Sequence, residues 1–319
     1  YDIPYMRHGS ENIFHTVGFI SGALNEEQHV GIALGMDNLI YDAEQADYTL
    51  LQLNPYYTLE NDNIRLRVGA HVDWQSANGS GIKAAPDVKL DYTFADTYVA
   101  YLHATGGTRL NDFSQQNEES PYWGVINQMR TSYTPADLQV GFKASPLPGL
   151  GFHLFGGYRV TKDEIFHLPG ITDTDFPYCY SLLMQEKAKV GYGGIKAAYG
   201  YKDIFDFSVG GTYYGWNVKD EAKVLLYLKP EFVLDASARA KVYDEFWISV
   251  AYRYEGRVKA GELEKADAIN NLSLSAGYEF FNSLNVFVRF NNLLNQDYIT
   301  EAGYPVQGFN AMAGVSFRF

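Results

Sequence analysis

Charged side chains and a histidine recur at every second position along several segments of this chain. Residues with this spacing share one face of a β-strand, because successive side chains of a strand point to opposite faces. If such a face lines a water-filled pore, its charges act as an electrostatic filter for a solute. We predict that the following residues face a lumen: Arg65, Arg67, His71, Asp73, Asp235, Arg239, Lys241, Arg253 and Arg289.

A structural interpretation of the same charges is also open. Opposite charges on neighbouring strands would then pair, Asp235 with Arg253 for instance, and would hold the wall rigid or grip a plug. His71 beside Asp73 is likewise typical of a hydrogen-bonded wall residue.

The spacing of the residues indicates neither a metal site nor a catalytic site. The histidines, at positions 8, 15, 29, 71, 103, 153 and 167, do not show the His-x-x-x-His or Cys/His spacing of metal sites. A Gly-x-Ser-x-Gly nucleophile elbow is absent from the sequence. The single cysteine, Cys179, can form no intrachain disulfide and is expected in a loop. We predict no metal, no cofactor and no enzymatic activity.

Two segments, 111–136 and 162–185, are expected to be long loops rich in acidic and aromatic residues. Binding residues concentrate in long loops that a rigid scaffold carries. Aromatic rings beside carboxylates suit a sugar, a cation or a protein, although such loops are also compatible with a merely solvated or disordered segment. The predicted ligand contacts are Tyr122, Trp123, Asp173, Asp175, Tyr178 and Tyr180.

The elements that must position these residues are strands. In Ile64–Gln75 apolar residues at even positions alternate with polar or small ones at odd positions, and Phe232–Val242 repeats the pattern. Together with weaker segments, the pattern predicts about 15 strands of roughly 10 residues, the length that a tilted strand needs to cross a bilayer. Tight turns, such as the one between Phe94 and Tyr98, are expected to alternate with long loops.

Composition argues against a helical membrane protein and a nucleic-acid-binding protein, and it leaves a soluble β-sandwich and a membrane barrel both open. The 319 residues include 30 Gly, 26 Tyr and 20 Phe, which favours sheet and turns over helix. We find no run of about 18 apolar residues that could form a membrane-spanning helix. The net charge of -13 argues against nucleic acid as a partner, because phosphate binding needs clustered Lys and Arg.

The predicted fold class is an all-β, transmembrane antiparallel barrel of about 16 strands, with 14 to 22 strands possible on the patterns that barrels show. Residues 1–319 would all belong to it. If the tight turns lie in the periplasm, the first visible strand runs inward. Because single-chain barrels have an even number of strands, either Tyr1 to Met6 forms a short extra strand or more chain precedes Tyr1, and we favour the second. The alternating last strand, Asn310 to Phe319, ends on an aromatic residue, as outer-membrane barrels do.

One stretch carries a family likeness. It runs from Asn291-Asn292-Leu293-Leu294-Asn295-Gln296-Asp297-Tyr298 through Gly303-Tyr304-Pro305 and Gly308 to the terminal strand. It resembles the C-terminal end of TonB-dependent outer-membrane receptors, in which an Asn-Leu-x-Asn-x-x-Tyr segment precedes a Gly-x-Pro-x-Pro-Gly-Arg loop. Gln307 and Phe309 depart from that pattern, and no stretch resembles the family's plug domain or its TonB-contacting box.

The resemblance implies a barrel in the bacterial outer membrane that captures or passes a solute through a charged lumen. The expected partners are outer-membrane lipid and, through a missing N-terminal region, TonB. Two other functions remain open. The chain could form a plugless porin-like channel, or it could be a structural barrel that binds a surface lipoprotein or another outer-membrane subunit.

Overall fold

The alternating segments form one large antiparallel sheet. The structure is a computed structural model, and it describes residues 10–41, 46–77, 79, 81–119, 123–125, 129–171, 179–280, 283–301 and 303–318. The described helices are the short α1 (Phe113–Glu119) and a 3-10 helix (Asp220–Leu226). No helix in this part of the chain is long and apolar enough to span a membrane.

The strands are β1 (Glu11–Ala23), β2 (Gln28–Tyr41), β3 (Tyr48–Glu60), β4 (Ile64–Gln75), β5 (Gly81–Phe94), β6 (Tyr98–Arg109), β7 (Trp123–Val125), β8 (Ser132–Leu147), β9 (Leu150–Ile171), β10 (Cys179–Tyr201), β11 (Phe205–Asn217), β12 (Pro230–Lys241), β13 (Phe246–Arg257), β14 (Ile269–Phe280), β15 (Leu284–Asn291), β16 (Ile299–Glu301), β17 (Tyr304–Pro305) and β18 (Asn310–Phe317).

The topology of the sheet is a meander. Strands β1 to β6, β8 to β15 and β18 follow one another in space, each antiparallel to the next. The short β7 adds to this sheet by pairing in parallel with β10, so the sheet has 16 strands, while β16 and β17 form a separate pair. The prediction of about 15 strands in this chain is confirmed. Among the described residues, β1 pairs only with β2, and β18 pairs only with β15.

The two faces of the sheet differ in character, as the alternation predicts. One face, called here the apolar face, exposes large hydrophobic side chains, for example Val68 (46%), Ile195 (56%) and Val315 (66%). The opposite, polar face carries the charged positions of β4, β5, β12 and β13, which meet one another in register. A sheet that exposes apolar side chains over one whole face is not built for water on that face.

Short and long connections lie at opposite ends of the strands. At the turn end the connections are 24–27, 61–63, 95–97, 148–149, 202–204, 242–245 and 281–283. At the loop end they are 42–47, 76–80, 110–131, 172–178, 218–229, 258–268 and 292–309. Gly149 shows why the turns can be tight, since its φ of 81° is a conformation that favours glycine. The predicted division into tight turns and long loops is confirmed.

The predicted loop 162–185 is wrong for most of its length. β9 continues to Ile171 and β10 begins at Cys179, so the two strands form a long paired hairpin. The alternation is hidden in the sequence because the register shifts between Glu186 and Ala188, which moves side chains to the opposite face. The other predicted loop, 111–136, likewise contains α1 and β7, and β8 starts inside it.

Aromatic rings on the polar face lie flat against glycines of the neighbouring strand. In six places the ring and the glycine are directly opposite in register, and a Cβ atom on the glycine would overlap the ring. A ring over a glycine keeps water from the exposed backbone and pins the register. The pairs are Tyr56 with Gly31, Tyr101 with Gly141, Phe155 with Gly194, Tyr192 with Gly157, Trp247 with Gly277 and Phe287 with Gly314.

We expect Gly141→Val to lower the free energy of unfolding by about 1–3 kcal/mol, the usual cost of overpacking. The new side chain must displace the Tyr101 ring, whose hydroxyl also lies 2.8 Å from His153 Nε2. The matched control is Gly151→Val on the same face, where nothing lies within 4 Å of the added Cβ. Urea unfolding in detergent micelles measures both variants. Equal stability of the two variants would contradict the packing role of the glycine.

Candidate functional site

Arg67 lies at the centre of a hydrogen-bonded network on β3, β4 and β5. Its Nε donates to Asp87 Oδ2 at 2.6 Å, and its Nη2 donates to Asn54 Oδ1 at 2.6 Å. The guanidinium also lies 4.0 Å from the centre of the Tyr56 ring. The Asn54 amide in turn donates to Asp87 at 3.2 Å and lies 3.5 Å from His71 Nδ1. Arg67 and His71 are therefore parts of one network in the wall.

Asp73 is buried at the loop end of β4. Its Oδ2 accepts the backbone N–H of Thr108 at 2.7 Å, which ties β4 to the end of β6. The neighbouring Gln75 accepts the hydroxyl of Thr131 at 2.7 Å, and Lys83 Nζ lies 3.3 Å from the same hydroxyl. These bonds fasten the start and the end of the 110–131 connection to the wall.

Alternating charges form a continuous chain along β12 and β13. Arg253 Nη1 donates to Asp235 at 3.0 Å, so the structure forms the ion pair that the sequence suggested. Arg253 Nη2 also donates to Glu255 at 2.7 Å, and Glu255 accepts from Arg257 at 2.6 Å. The exposed fraction of the four side chains falls along this row of charges, from 57% at Asp235 to 4% at Arg257. The row therefore runs from a solvent-exposed part of the polar face to a buried end.

Arg257 connects this buried end to two connections at the loop end. Its Nη1 donates to the carbonyl of Leu228 in the 218–229 connection, and its Nη2 donates to the carbonyl of Ile299 at 2.8 Å in the 292–309 connection. The guanidinium therefore binds two different connections. Leu228 lies 29 residues before Arg257 in sequence, and Ile299 lies 42 residues after it. Sequence reasoning missed this role, because backbone carbonyls give no residue-type signal.

The 110–131 connection is called here the crossing segment, and its described residues fold onto the polar face. α1 places Phe113 against Tyr41 of β2, with ring centres 5.0 Å apart, and these residues share a buried cluster with Leu39 and Tyr48. The same cluster includes Leu183 of β10, while β7 pairs with β10. Since β3, β4, β5, β6, β8 and β9 lie between β2 and β10, the segment reaches across much of the face.

Trp123 anchors this crossing segment. Its side chain is buried (5% exposed), its ring centre lies 5.2 Å from that of Phe113, and its Nε1 donates to Asn117 Oδ1 at 2.6 Å. The backbone N–H of Phe113 is also bonded to the Glu11 carboxylate of β1 at 3.1 Å. The indole is thus packed against protein rather than open to solvent.

The structure does not describe the side chains of the other predicted loop contacts. Tyr122, Asp173, Asp175 and Tyr178 lie outside the described residues. Tyr180 belongs to β10, where it is paired with Gly170. Their role as ligand contacts stays a prediction.

A second buried cluster lies on the other side of the β9–β10 hairpin. The 3-10 helix packs Ala222, Leu225 and Leu226 against Phe166, whose side chain is fully buried. Lys229 places its ammonium 4.9 Å from the centre of the Phe166 ring. The outer part of the hairpin is therefore packed between the crossing segment on one side and the 3-10 helix on the other.

Two ionisable groups of the loop-end connections have shifted pKa values. A hydrogen bond from Lys223, whose ammonium lies 2.7 Å from Asp220 Oδ1, holds the pKa of Asp220 below its ordinary value. Burial raises the pKa of Tyr298. Both groups therefore keep one charge state at neutral pH, Asp220 as a carboxylate and Tyr298 as a neutral phenol.

The remaining predicted charges lie nearer the turn end. Arg239 and Lys241 line an open cavity of about 690 Å³ together with Trp247 and Arg318, and the Arg239 guanidinium lies 4.6 Å from the Trp247 ring centre. Asp206, Asp244, Glu245 and Glu279 also line this cavity. Arg65 is exposed and pairs with Glu60 at 2.8 Å, and Arg289 is exposed on β15.

Several polar-face residues escaped the sequence analysis. Asn54, Asp87 and Arg257 sit at the centres of networks, and Asp91 binds His103 at 2.9 Å. All of them occupy polar-face positions, so the alternation of apolar and polar residues could have identified them as lumen-facing. The part of the chain that the structure describes contains no group of three or more His, Cys, Asp or Glu residues arranged to hold a metal ion.

Known proteins resemble this chain in structure but not in sequence. No family model and no curated protein matches it. The ferric enterobactin receptor PfeA from Pseudomonas aeruginosa matches with a TM-score of 0.73 at 13% identity, over 98% of this chain and 54% of that one. The copper transporter OprC matches at 0.67 and 13%, over 97% and 57%. The iron transporter FrpB from Neisseria meningitidis matches at 0.68 and 12%, over 94% and 54%.

These similarities establish the fold. The chain has the β-barrel fold of TonB-dependent outer-membrane receptors, and the predicted fold class and family likeness are confirmed at that level. The chain spans about half the length of the proteins that it resembles. The similar structures are receptors and transporters rather than enzymes.

Proposed function

We propose that this chain is part of a transport barrel in the bacterial outer membrane, of the TonB-dependent receptor type, and that it has no enzymatic activity. The observation that carries the proposal is the division of one barrel-type sheet into an apolar and a polar face. Lipid covers the apolar face, because exposed hydrophobic side chains are stable there. The polar face lines an aqueous lumen, along which its charges meet a solute.

Further strands complete the barrel in this proposal. β1 and β18 each have one unpaired edge among the described residues. An open sheet edge is not stable in hydrocarbon, because its backbone N–H and C=O groups have no partner there. Strands from the remainder of a longer protein would pair with both edges, and a plug and a TonB-contacting segment would belong to that remainder.

The similar structures support a proposal for the solute class. They include a ferric enterobactin receptor and transporters of copper and iron. We therefore propose a metal ion or metal complex as the solute, captured at the loop end. The predicted contacts Tyr122, Asp173, Asp175, Tyr178 and Tyr180 would take part, whereas the buried Trp123 would only hold the crossing segment. The lumen charges that remain exposed, such as Arg253 and Arg289, would line the path.

The test is uptake by cells that express the full-length protein. Radioactive iron, offered as ferric enterobactin, and radioactive copper are supplied to cells with and without functional TonB. Uptake that requires both the protein and TonB supports the proposal. Uptake or bilayer conductance that does not need TonB would instead support the porin-like channel. No uptake, together with stable co-purification of a lipoprotein or another subunit, would support the structural barrel.

A further inference from the structure

We propose that the polar face carries a binding site for a small oxyanion, a carboxylate or a phosphate, formed by Lys143, His153 and Lys196. The three residues are directly opposite one another in register on β8, β9 and β10. They lie near the turn end, away from the crossing segment. The inference rests on the proposed function only in requiring that the polar face be in contact with water.

The site is built from two copies of one arrangement. On β8 and on β10 a glycine is followed two residues later by a lysine, as Gly141 precedes Lys143 and Gly194 precedes Lys196. Each glycine is covered by an aromatic ring from the preceding strand, Tyr101 or Phe155. The ammonium of Lys143 lies 5.4 Å from the Tyr101 ring centre. That of Lys196 lies 5.6 Å from the Phe155 ring centre.

His153 stands between the two lysines and is fixed in place. Its Nε2 lies 2.8 Å from the Tyr101 hydroxyl, and its ring centre lies 4.9 Å from that of Phe155. Tyr101 and Phe155 lie in one row of the register, and the three basic residues form the next row toward the turn end. An anion above this row would meet both ammonium groups and the imidazole.

The surroundings contain little negative charge. Neither lysine forms an ion pair in the part of the chain that the structure describes, and each side chain is exposed. The neighbouring polar-face positions carry no carboxylate. They are Val99, Gln139, Gly157, Ala198, Ser208, Gly210 and Thr212.

The carboxylates around the site are already engaged. Asp235 lies in the same row as Lys196, because both are directly opposite Gly210, and it accepts from Arg253 at 3.0 Å. Asp91, opposite Tyr101, accepts from His103 at 2.9 Å. Asp137 accepts the Tyr192 hydroxyl at 3.0 Å. The chain as a whole has a net charge of -13, so this row of basic groups without acidic partners is a local region of positive charge on an acidic protein. Lysines arranged in this way on a pore wall select anions, because ammonium groups bind carboxylate and phosphate oxygens by charge-assisted hydrogen bonds.

The experiment measures binding rather than transport. The full-length protein in detergent is titrated calorimetrically with inorganic phosphate and, separately, with citrate at low ionic strength. We expect the double variant Lys143→Gln, Lys196→Gln to weaken binding of the better probe about tenfold or more, the effect of losing two charge-assisted bonds. The charge-conserving double variant to arginine should bind within about threefold of the unchanged protein.

Lys265→Gln is the matched control, since this lysine makes an exposed ion pair with Glu231 at 3.3 Å in a different region. It removes one positive charge and should leave affinity unchanged. The proposal is overturned if the unchanged protein binds neither anion, or if the glutamine double variant binds as tightly as the arginine one. Because uptake is measured separately, a failed titration with normal TonB-dependent uptake would remove this site and leave the proposed function standing.

Discussion

Trp123→Ala is expected to release the crossing segment from the polar face. The substitution empties a buried position between Phe113 and the β10 wall, and truncation of a buried Trp costs about 3–5 kcal/mol. Most of this loss falls on the docking of the segment, because the strands behind it keep their ladder hydrogen bonds. Hydrogen exchange of the backbone amides in 110–131 should therefore accelerate strongly, while exchange in β4 and β5 should change little.

The control for this variant is Trp123→Phe. It keeps an aromatic ring in the cluster and removes only the 2.6 Å hydrogen bond to Asn117, so its expected cost is about 0.5–1.5 kcal/mol. If exchange in the crossing segment is as slow in the alanine variant as in the unchanged protein, Trp123 does not hold the segment. If both variants release it equally, the hydrogen bond rather than the packing is decisive.

The contrast between Trp123 and Arg67 shows how far the sequence leads. Arg67 lies in a strict alternation, so its face follows from position alone. Trp123 lies in a connection, and its burial depends on Tyr41 and Leu183, residues about 80 and 60 positions away that the fold brings to it. The alternation of apolar and polar residues predicts which face of the sheet a side chain lies on. It does not predict which distant side chains contact a residue in a loop.

The β9–β10 hairpin shows a second limit. Its outer part packs one side against the crossing segment, through Ile165 and Leu183, and the other side against the 3-10 helix, through Phe166. A strand that is packed on both faces loses the apolar and polar alternation, and the bulge near Ala188 interrupts the period further. The sequence therefore predicts a loop there, although the backbone is paired throughout the described part.

Arg257→Met is expected to cost about 3–5 kcal/mol of stability, because it removes one partner of a buried ion pair. Glu255, itself buried, would keep only Arg253 as a charged partner. The carbonyls of Leu228 and Ile299 would lose their donor at the same time. We therefore expect a lower urea midpoint and faster proteolysis in both 218–229 and 292–309, two connections whose described residues share no strand pairing.

Two comparisons separate the causes of that loss. Arg65→Met removes an arginine from an exposed pair with Glu60, with side-chain exposures of 74% and 66%, and should cost about 0–1 kcal/mol. Arg257→Lys keeps the charge but cannot donate in three directions from a planar fork, so it should restore part of the stability and little of the loop protection. A loss at Arg257 no larger than the loss at Arg65 would mean that the guanidinium does not tie the loops to the wall.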